Sequence, residues 1–289
     1  MIIGITGGTG FIGHAVRRTL EAQGASVVLF SRKPGPGRRS YSLTTPLEVT
    51  GMDGIVHLAG ESILGLWTPE KRRRILESRV EGTRRLVEGI GAAPVKPRVL
   101  VSASAIGFYG DTGDRIVDED SPGGTGFLAD VAGAWEAEAR KAEALGVRVV
   151  LLRIGFVLGR EGGAMGLIKP FFRAALGGRL GSGHQWMSCI EVGDLAAAAA
   201  RCLRDEGIRG PINAVMPDPV TNSAFTHAAA RAAHRPALFP APAFALRAAL
   251  GDLSHLLLDS QRVVPRRLEA LGFDYRFGTI DSAMGEVFR

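Results

Sequence analysis

The stretch Ile2-Ile3-Gly4-Ile5-Thr6-Gly7-Gly8-Thr9-Gly10-Phe11-Ile12-Gly13 decides the fold. Its first five residues form an apolar run of strand length, and Phe11–Gln23 carries the apolar spacing of an amphipathic helix. Gly7 and Gly10 permit a tight turn whose backbone N–H groups can reach a pyrophosphate, and Gly13 lets the helix lie close on a sheet. The helix N-terminus adds partial positive charge, which favours an anion by about 0.3–1 kcal/mol. Strand, glycine turn and helix in immediate succession make the phosphate-binding turn of a dinucleotide-binding unit. Thr6, Gly7, Gly8, Thr9, Gly10, Phe11, Ile12 and Gly13 are its expected contacts.

Outward from this turn, apolar runs alternate with helical patterns. Strands are expected at Ile2–Thr6, Ser26–Phe30, Gly54–Leu58, Arg98–Ser102 and Val147–Ile154, and helices at Phe11–Gln23, Pro69–Ile90 and Gly126–Leu145. This rhythm predicts an α/β fold, a Rossmann-type doubly wound parallel sheet. Val99-Leu100-Val101 and Val149-Val150-Leu151-Leu152 are continuously apolar, as strands covered on both faces are. After Ile154 comes a Gly-rich connection, then a helix near Val192–Leu203 and a strand at Ile212–Val215. The remainder reads as mostly helical. The expected organisation is a cofactor domain over 1–214, with 155–185 lining a substrate cleft, and a small, mostly helical C-terminal lid over 215–289.

The end of the second strand selects the cofactor. A site for NAD places an acid there for the ribose 2′-hydroxyl. Here the strand ends Leu29-Phe30-Ser31-Arg32-Lys33, and no acid stands between Glu21 and Glu48. Ser31, Arg32 and Lys33, with Arg38 and Arg39 nearby, suit the 2′-phosphate of NADP(H), which guanidinium grips bidentately. An ordinary solvated basic loop is the plainer reading of the same residues. In the next strand, Leu58, Ala59 and Gly60 let the chain pass close to the adenosine half. His57 fits a hydrogen-bonded core position better than a catalytic one. Glu61 lies either where ligands bind or where it caps the next helix.

Composition narrows the rest. The chain has 289 residues, 46% hydrophobic, and a formal net charge of +6. That is ample for a core and excludes disordered and disulfide-stapled classes. Five of the 35 basic residues are lysines and the rest are arginines spread along the chain, so nucleic acid is not expected as a partner. Lys71-Arg72-Arg73-Arg74 has acids at helical spacing and reads as a solvated face. Cys189 and Cys202 are too few for a zinc site, so no metal is expected. No apolar run reaches membrane-spanning length, so no membrane is expected and a cytoplasmic location is.

These motifs, in this order, resemble the extended, epimerase-like branch of the short-chain dehydrogenase/reductase superfamily, within it the atypical NAD(P)-binding epimerase-family proteins with a C-terminal domain of unknown function. The resemblance rests on Thr6–Gly13, Leu58-Ala59-Gly60-Glu61-Ser62-Ile63, Ser78–Thr83 and Ser102–Asp111. It continues through Trp135-Glu136, Gly181–Ser188, Gly210–Val215, Pro217–Asn222 and Gln261–Pro265.

The resemblance implies a Tyr four residues before a Lys on one helix, the Lys lowering the phenol pKa, and a Ser or Thr that polarises the substrate. This chain departs from that pattern. Leu128 and Ala132 stand at the Tyr and Lys positions, and Arg79 stands where an active-site Asn is common. The serine persists as Ser104, or as Ser102 if the loop shifts. Tyr109 is the alternative proton donor, with Arg79 lowering its pKa. In relatives' Ser-Trp-Ile-His this chain has Ser188-Cys189-Ile190-Glu191, where Glu191 is either a substitute base or an acid favouring a helix start. Ser104 and Tyr109 are thus the catalytic candidates, and Arg79 and Ser102 join Glu61 as cofactor contacts. Two functions remain: an oxidoreductase or epimerase-type enzyme on a small carbonyl or hydroxyl metabolite, or an NADP(H) sensor with little turnover. A homodimer is compatible with either.

Overall fold

The computed structural model describes every residue except Pro34 and Pro36. Seven strands form one parallel sheet: β1 (Ile2–Thr6), β2 (Ser26–Ser31), β3 (Arg38–Ser40), β4 (Gly54–His57), β5 (Val99–Ala105), β6 (Arg148–Ile154) and β7 (Gly210–Ala214). Their spatial order is β7-β6-β5-β4-β1-β2-β3. The direction of winding reverses between β1 and β4, which opens a crevice at the carboxyl edge. Register puts Thr6 beside His57 and His57 beside Ser102. It also puts Ser104, Arg153 and Asn213 in one cross-sheet row.

Helices cover both faces. On one, α1 (Phe11–Ala22) buries Gly13, Val16 and Leu20. On the other, α2 (Pro69–Ala92) starts at Thr68, whose hydroxyl accepts the Lys71 N–H, with Pro69 pre-set for the first turn. It lies beside α3 (Phe127–Arg140). The arginines of α2 are largely ion-paired: Arg73 with Glu70 and Glu77, Arg84 with Glu81 and Glu138. In surface positions such pairs contribute little each.

The structure refines several boundaries. The expected helix Gly126–Leu145 stops at Arg140 and finishes as a tighter turn, Lys141–Leu145. β5 runs on to Ala105. The Gly-rich connection contains a helix, α4 (Gly163–Arg173), despite Pro170 within it. Then come α5 (Val192–Arg204), which packs against α1, α6 (Asn222–Ala233), α7 (Ala243–Leu250) and the C-terminal helix Ile280–Phe288.

A second core joins α4, α6 and the C-terminal helix through Met165, Phe172, Phe225, Met284 and Val287. Two buried charges fasten it. Lys169 Nζ donates to the Val287 carbonyl at 2.6 Å, capping the C-terminal helix. Asp194 accepts the Arg276 and Phe277 N–H groups, both at 2.9 Å. Among the described residues no helix is long and apolar enough to cross a membrane. Nor do three His, Cys, Asp or Glu side chains among them gather to hold a metal.

Candidate functional site

The glycine turn is shaped by contact. Gly7 has φ +70°, and a Cβ there would lie 2.8 Å from the Leu58 carbonyl and 2.9 Å from the Ala59 nitrogen. Only glycine fits both the conformation and the space. At Gly13 a Cβ would come within 2.3 Å of the Gly7 carbonyl oxygen. Gly10 enters α1 with extended backbone and no side-chain cap, so the first turn's N–H groups are not claimed by a capping side chain. The Phe11 ring lies against Gly159, Gly162 and Gly163, where a Cβ would approach it to 2.4–2.9 Å. The start of α4 is thereby brought onto the turn.

Behind the turn runs a hydrogen-bonded chain. The Leu58 and Ala59 N–H groups donate to Thr6 Oγ1, each at 3.2 Å. Thr6 Oγ1 meets His57 Nδ1 at 2.7 Å, His57 Nε2 meets Thr83 Oγ1 at 2.9 Å, and Thr83 donates to the Arg79 carbonyl at 2.6 Å. Since the Thr83 proton goes to a carbonyl, Nε2 must donate and Nδ1 must accept from Thr6. That network assigns the tautomer. Burial pushes the His57 pKa down to about 3, with the nearby Arg79 charge adding to the effect. His57 is a neutral core residue that fixes the strand exit.

At the end of β2, Ser31 Oγ accepts the Lys33 N–H at 3.1 Å. Arg32 and Lys33 are exposed, and among the described residues neither forms an ion pair. Arg39 is turned away, donating to the Glu48 and Thr50 carbonyls at 2.9 Å each.

Glu61 caps no helix. Its carboxylate receives Lys71 Nζ at 2.7 Å, a hydrogen bond that holds its pKa below the usual carboxylate range. Arg79 donates to the Glu61 carbonyl at 3.0 Å and lies 5.1 Å over the Trp135 ring. Its guanidinium sits against Gly60, where a Cβ would meet it at 3.2 Å. Burial draws the Arg79 pKa down to about 10, which leaves it cationic at neutral pH.

Ser104 and Tyr109 share a buried network centred on two residues missed in the sequence. Arg153 Nε donates to Glu136 Oε1 at 2.8 Å and Nη2 to Oε2 at 3.0 Å, a bidentate pair with 3% and 4% side-chain exposure. Ser104 donates to the same Glu136 Oε1 at 2.7 Å. Arg153 Nη1 donates to the Tyr109 hydroxyl at 2.9 Å, and that hydroxyl donates to Asn213 Oδ1 at 2.8 Å. Arg153 also stacks 3.6 Å from the Phe108 ring centroid. The cation beside Tyr109 is therefore Arg153, where the sequence suggested Arg79. Burial raises the Tyr109 pKa to about 12 although Arg153 opposes the rise. Ser102 is fully buried, its hydroxyl donating to the Ala103 carbonyl at 3.3 Å.

The signal for Arg153 was legible as one cation inside the run Leu151-Leu152-Arg153-Ile154. Glu136 stood in the quoted motif beside Trp135. Leu128, at the position of the missing tyrosine, joins an apolar cluster with Ile63, Trp67, Phe127, Leu253 and Leu256, and Ala132 is buried in α3. Glu191 accepts the Gly193 N–H at 2.6 Å and the Asp194 N–H at 3.3 Å, capping α5. Gln185 bridges the Leu180 and Leu257 carbonyls, and Trp186 donates to Asp114 at 2.9 Å.

Known proteins align with this chain throughout. The NAD dependent epimerase/dehydratase family matches residues 3–214, and a domain of unknown function, DUF1731, matches residues 241–287. The chain is 36% identical over 306 residues to the chloroplastic SDR39U1 homolog, an epimerase family protein of Arabidopsis thaliana, covering 100% of this chain and 87% of that one. The crystal structure of human epimerase family protein SDR39U1 with NADPH superimposes with a TM-score of 0.94 at 38% identity, covering 100% of this chain and 99% of that one. A nucleoside-diphosphate sugar epimerase from Corynebacterium glutamicum gives 0.83 at 35% identity, covering 99% of this chain and 58% of that one. Turn, sheet order and helical C-terminal region thus have one common explanation: the chain belongs to the NAD dependent epimerase/dehydratase family.

Proposed function

We propose that this protein binds NADP(H) across the carboxyl edge of its sheet and acts on a small carbonyl or hydroxyl compound without the Tyr-x-x-x-Lys pair. The observation that carries the reading is the glycine turn. Gly7 is flush against Leu58 and Ala59, α1 has no side-chain cap, and one strand away Arg32 and Lys33 are exposed and form no ion pair among the described residues. These residues fit the group. The amides of Gly8–Gly13 would hold the pyrophosphate, Ser31, Arg32 and Lys33 the 2′-phosphate, and Leu58–Glu61, with Arg79 and Ser102 behind them, the adenosine and ribose side. The human relative's complex with NADPH supports the choice of cofactor.

When bound, the cofactor supplies or accepts hydride. The chain's own contribution is an oriented, water-poor wall. Ser104 donates its hydroxyl hydrogen bond to Glu136, so the serine oxygen is left to accept a hydrogen bond rather than to donate one. Tyr109 can release a proton toward a substrate only after its hydroxyl leaves Asn213. Residues 155–185 and the segment after 215 would line and close the cleft. The two buried thiols, Cys189 and Cys202, suit a reducing compartment, the cytoplasm in the simplest case.

A second reading, binding with little turnover, is favoured by one observation: both candidate hydroxyls already donate inward. Loss of reduced-nicotinamide absorbance with a panel of aldehydes and ketones separates the two. Turnover that Ser104→Ala or Tyr109→Phe abolishes supports the enzyme. Saturable NADPH binding with no turnover across the panel supports the sensor.

A further inference from the structure

Two stretches of the chain, 162–190 and 219–251, contain no acidic residue. They fold side by side. Arg235 donates to the Arg173 carbonyl at 3.4 Å, the Phe239 N–H to Gly177 at 3.2 Å, and the Ala241 N–H to Arg179 at 2.9 Å. On these segments Leu167, Phe171, Leu176, Leu238, Phe239 and Phe244 are 55–75% exposed. Leu167 and Phe171 are four residues apart on α4 and so leave it on one side. α7, Ala-Phe-Ala-Leu-Arg-Ala-Ala-Leu, buries none of its side chains. Scattered surface leucines need no explanation, but six large apolar groups on adjoining segments mark a surface that meets something apolar.

The charges around this patch identify what it meets. Arg173, Arg179, Arg235 and Arg247 are exposed on the same segments, and among the described residues none of the four pairs with a carboxylate. The hydrogen bonds of Arg179 and Arg235 go to backbone carbonyls. We infer that this face seats the protein on an anionic lipid bilayer. The phenylalanines and leucines enter the interfacial layer while the four arginines meet lipid phosphates. A two-fold pairing with a second copy would set the same arginines against each other with no acid on either segment. The apolar groups project separately from a helix, a loop and a short helix, and a fluid layer accepts them without the shape match that a folded partner requires.

Attachment of this kind is peripheral and needs no spanning helix. The sequence expectation of no membrane rests on the lack of a spanning run, and hydropathy along the chain does not register a patch assembled from segments some sixty residues apart.

Co-sedimentation of the full chain with extruded vesicles tests the inference, comparing phosphatidylcholine alone with phosphatidylcholine containing about 30% phosphatidylglycerol. At least about tenfold more protein should pellet with the anionic vesicles, and less as salt is raised. Phe171→Ser/Phe239→Ser/Phe244→Ser and, separately, Arg173→Glu/Arg247→Glu should each abolish pelleting. An unchanged thermal midpoint shows that these exposed substitutions leave the fold intact. Equal pelleting with both vesicles, or pelleting that survives the triple serine variant, overturns the proposal. So does a concentration-dependent dimer in sedimentation velocity that the triple serine variant dissolves, since that assigns the face to a second copy.

Discussion

Glu136→Ala removes the carboxylate that Arg153 grips with two hydrogen bonds and that accepts a hydrogen bond from Ser104. Arg153, 3% exposed in the native chain, keeps the Tyr109 hydroxyl and the Phe108 and Tyr109 rings as neighbours but loses its carboxylate. Taking one partner from a buried ion pair costs about 3–5 kcal/mol, because the surviving charge stays out of water unpaired. The orphaned serine donor adds about 1 kcal/mol. The remaining tyrosine and ring contacts offset part of this, so a net loss of about 4 kcal/mol is expected. In a protein of this size that lowers the melting temperature by roughly 8–16 °C. Urea unfolding followed by far-ultraviolet circular dichroism, with an unchanged m value, measures it directly. Glu136→Gln keeps an acceptor for Ser104 and should fall in between. Glu136→Leu/Arg153→Met removes both charges and should be more stable than Glu136→Ala. A loss under about 1 kcal/mol in Glu136→Ala, or a double variant less stable than the single one, refutes the view that this pair organises the carboxyl edge.

Three further outcomes are expected. Gly7→Ala places a Cβ 2.8 Å from the Leu58 carbonyl at φ +70°, costs about 1–3 kcal/mol, and should weaken NADPH binding at least about tenfold in a fluorescence titration. His57 titrates near 3 in the folded protein and near 6.5 when unfolded, so the unfolded chain binds the extra proton between these values. Its stability contribution is complete above about pH 6.5 and is lost as pH falls toward 3; melting curves of His57→Gln should show a shallower acid limb than the native chain. Tyr109→Phe deletes a hydroxyl that accepts from Arg153 and donates to Asn213, for a loss of about 1–3 kcal/mol; a fall in turnover at unchanged NADPH affinity would give the phenol a chemical role as well.

The parts legible in the sequence are those governed by local rules. Ile2–Thr6, the glycine turn and Phe11–Ala22 follow from strand length, glycine conformations and helical spacing, and the continuous apolar runs revealed β5 and β6. β3 escaped because three residues, Arg38-Arg39-Ser40, pair only with β2 at the sheet edge and carry no alternation. α4 escaped because its glycines and Pro170 argue against a helix, yet burial of Met165, Lys169 and Phe172 against the C-terminal part stabilises one.

Of the candidate site, the turn and the basic strand end could be proposed from sequence because their residues are close in the chain. The partners of Ser104 and Tyr109 were not, since Glu136, Arg153 and Asn213 lie 32, 44 and 104 residues from them. Only the cross-sheet row Ser104–Arg153–Asn213 brings them together. The same holds for Glu61, whose partner Lys71 comes round only after the loop that precedes α2.

The proposed function rests on NADP(H) lying on the Gly7–Gly13 turn with its extra phosphate at Arg32. A crystal structure of the chain grown with NADP⁺ shows whether it does. The pyrophosphate is expected against the backbone N–H groups at the start of α1, and the 2′-phosphate within hydrogen-bond distance of the Arg32 guanidinium. A 2′-phosphate directed to solvent away from Arg32 and Lys33, or a nucleotide bound anywhere other than this turn, would contradict it.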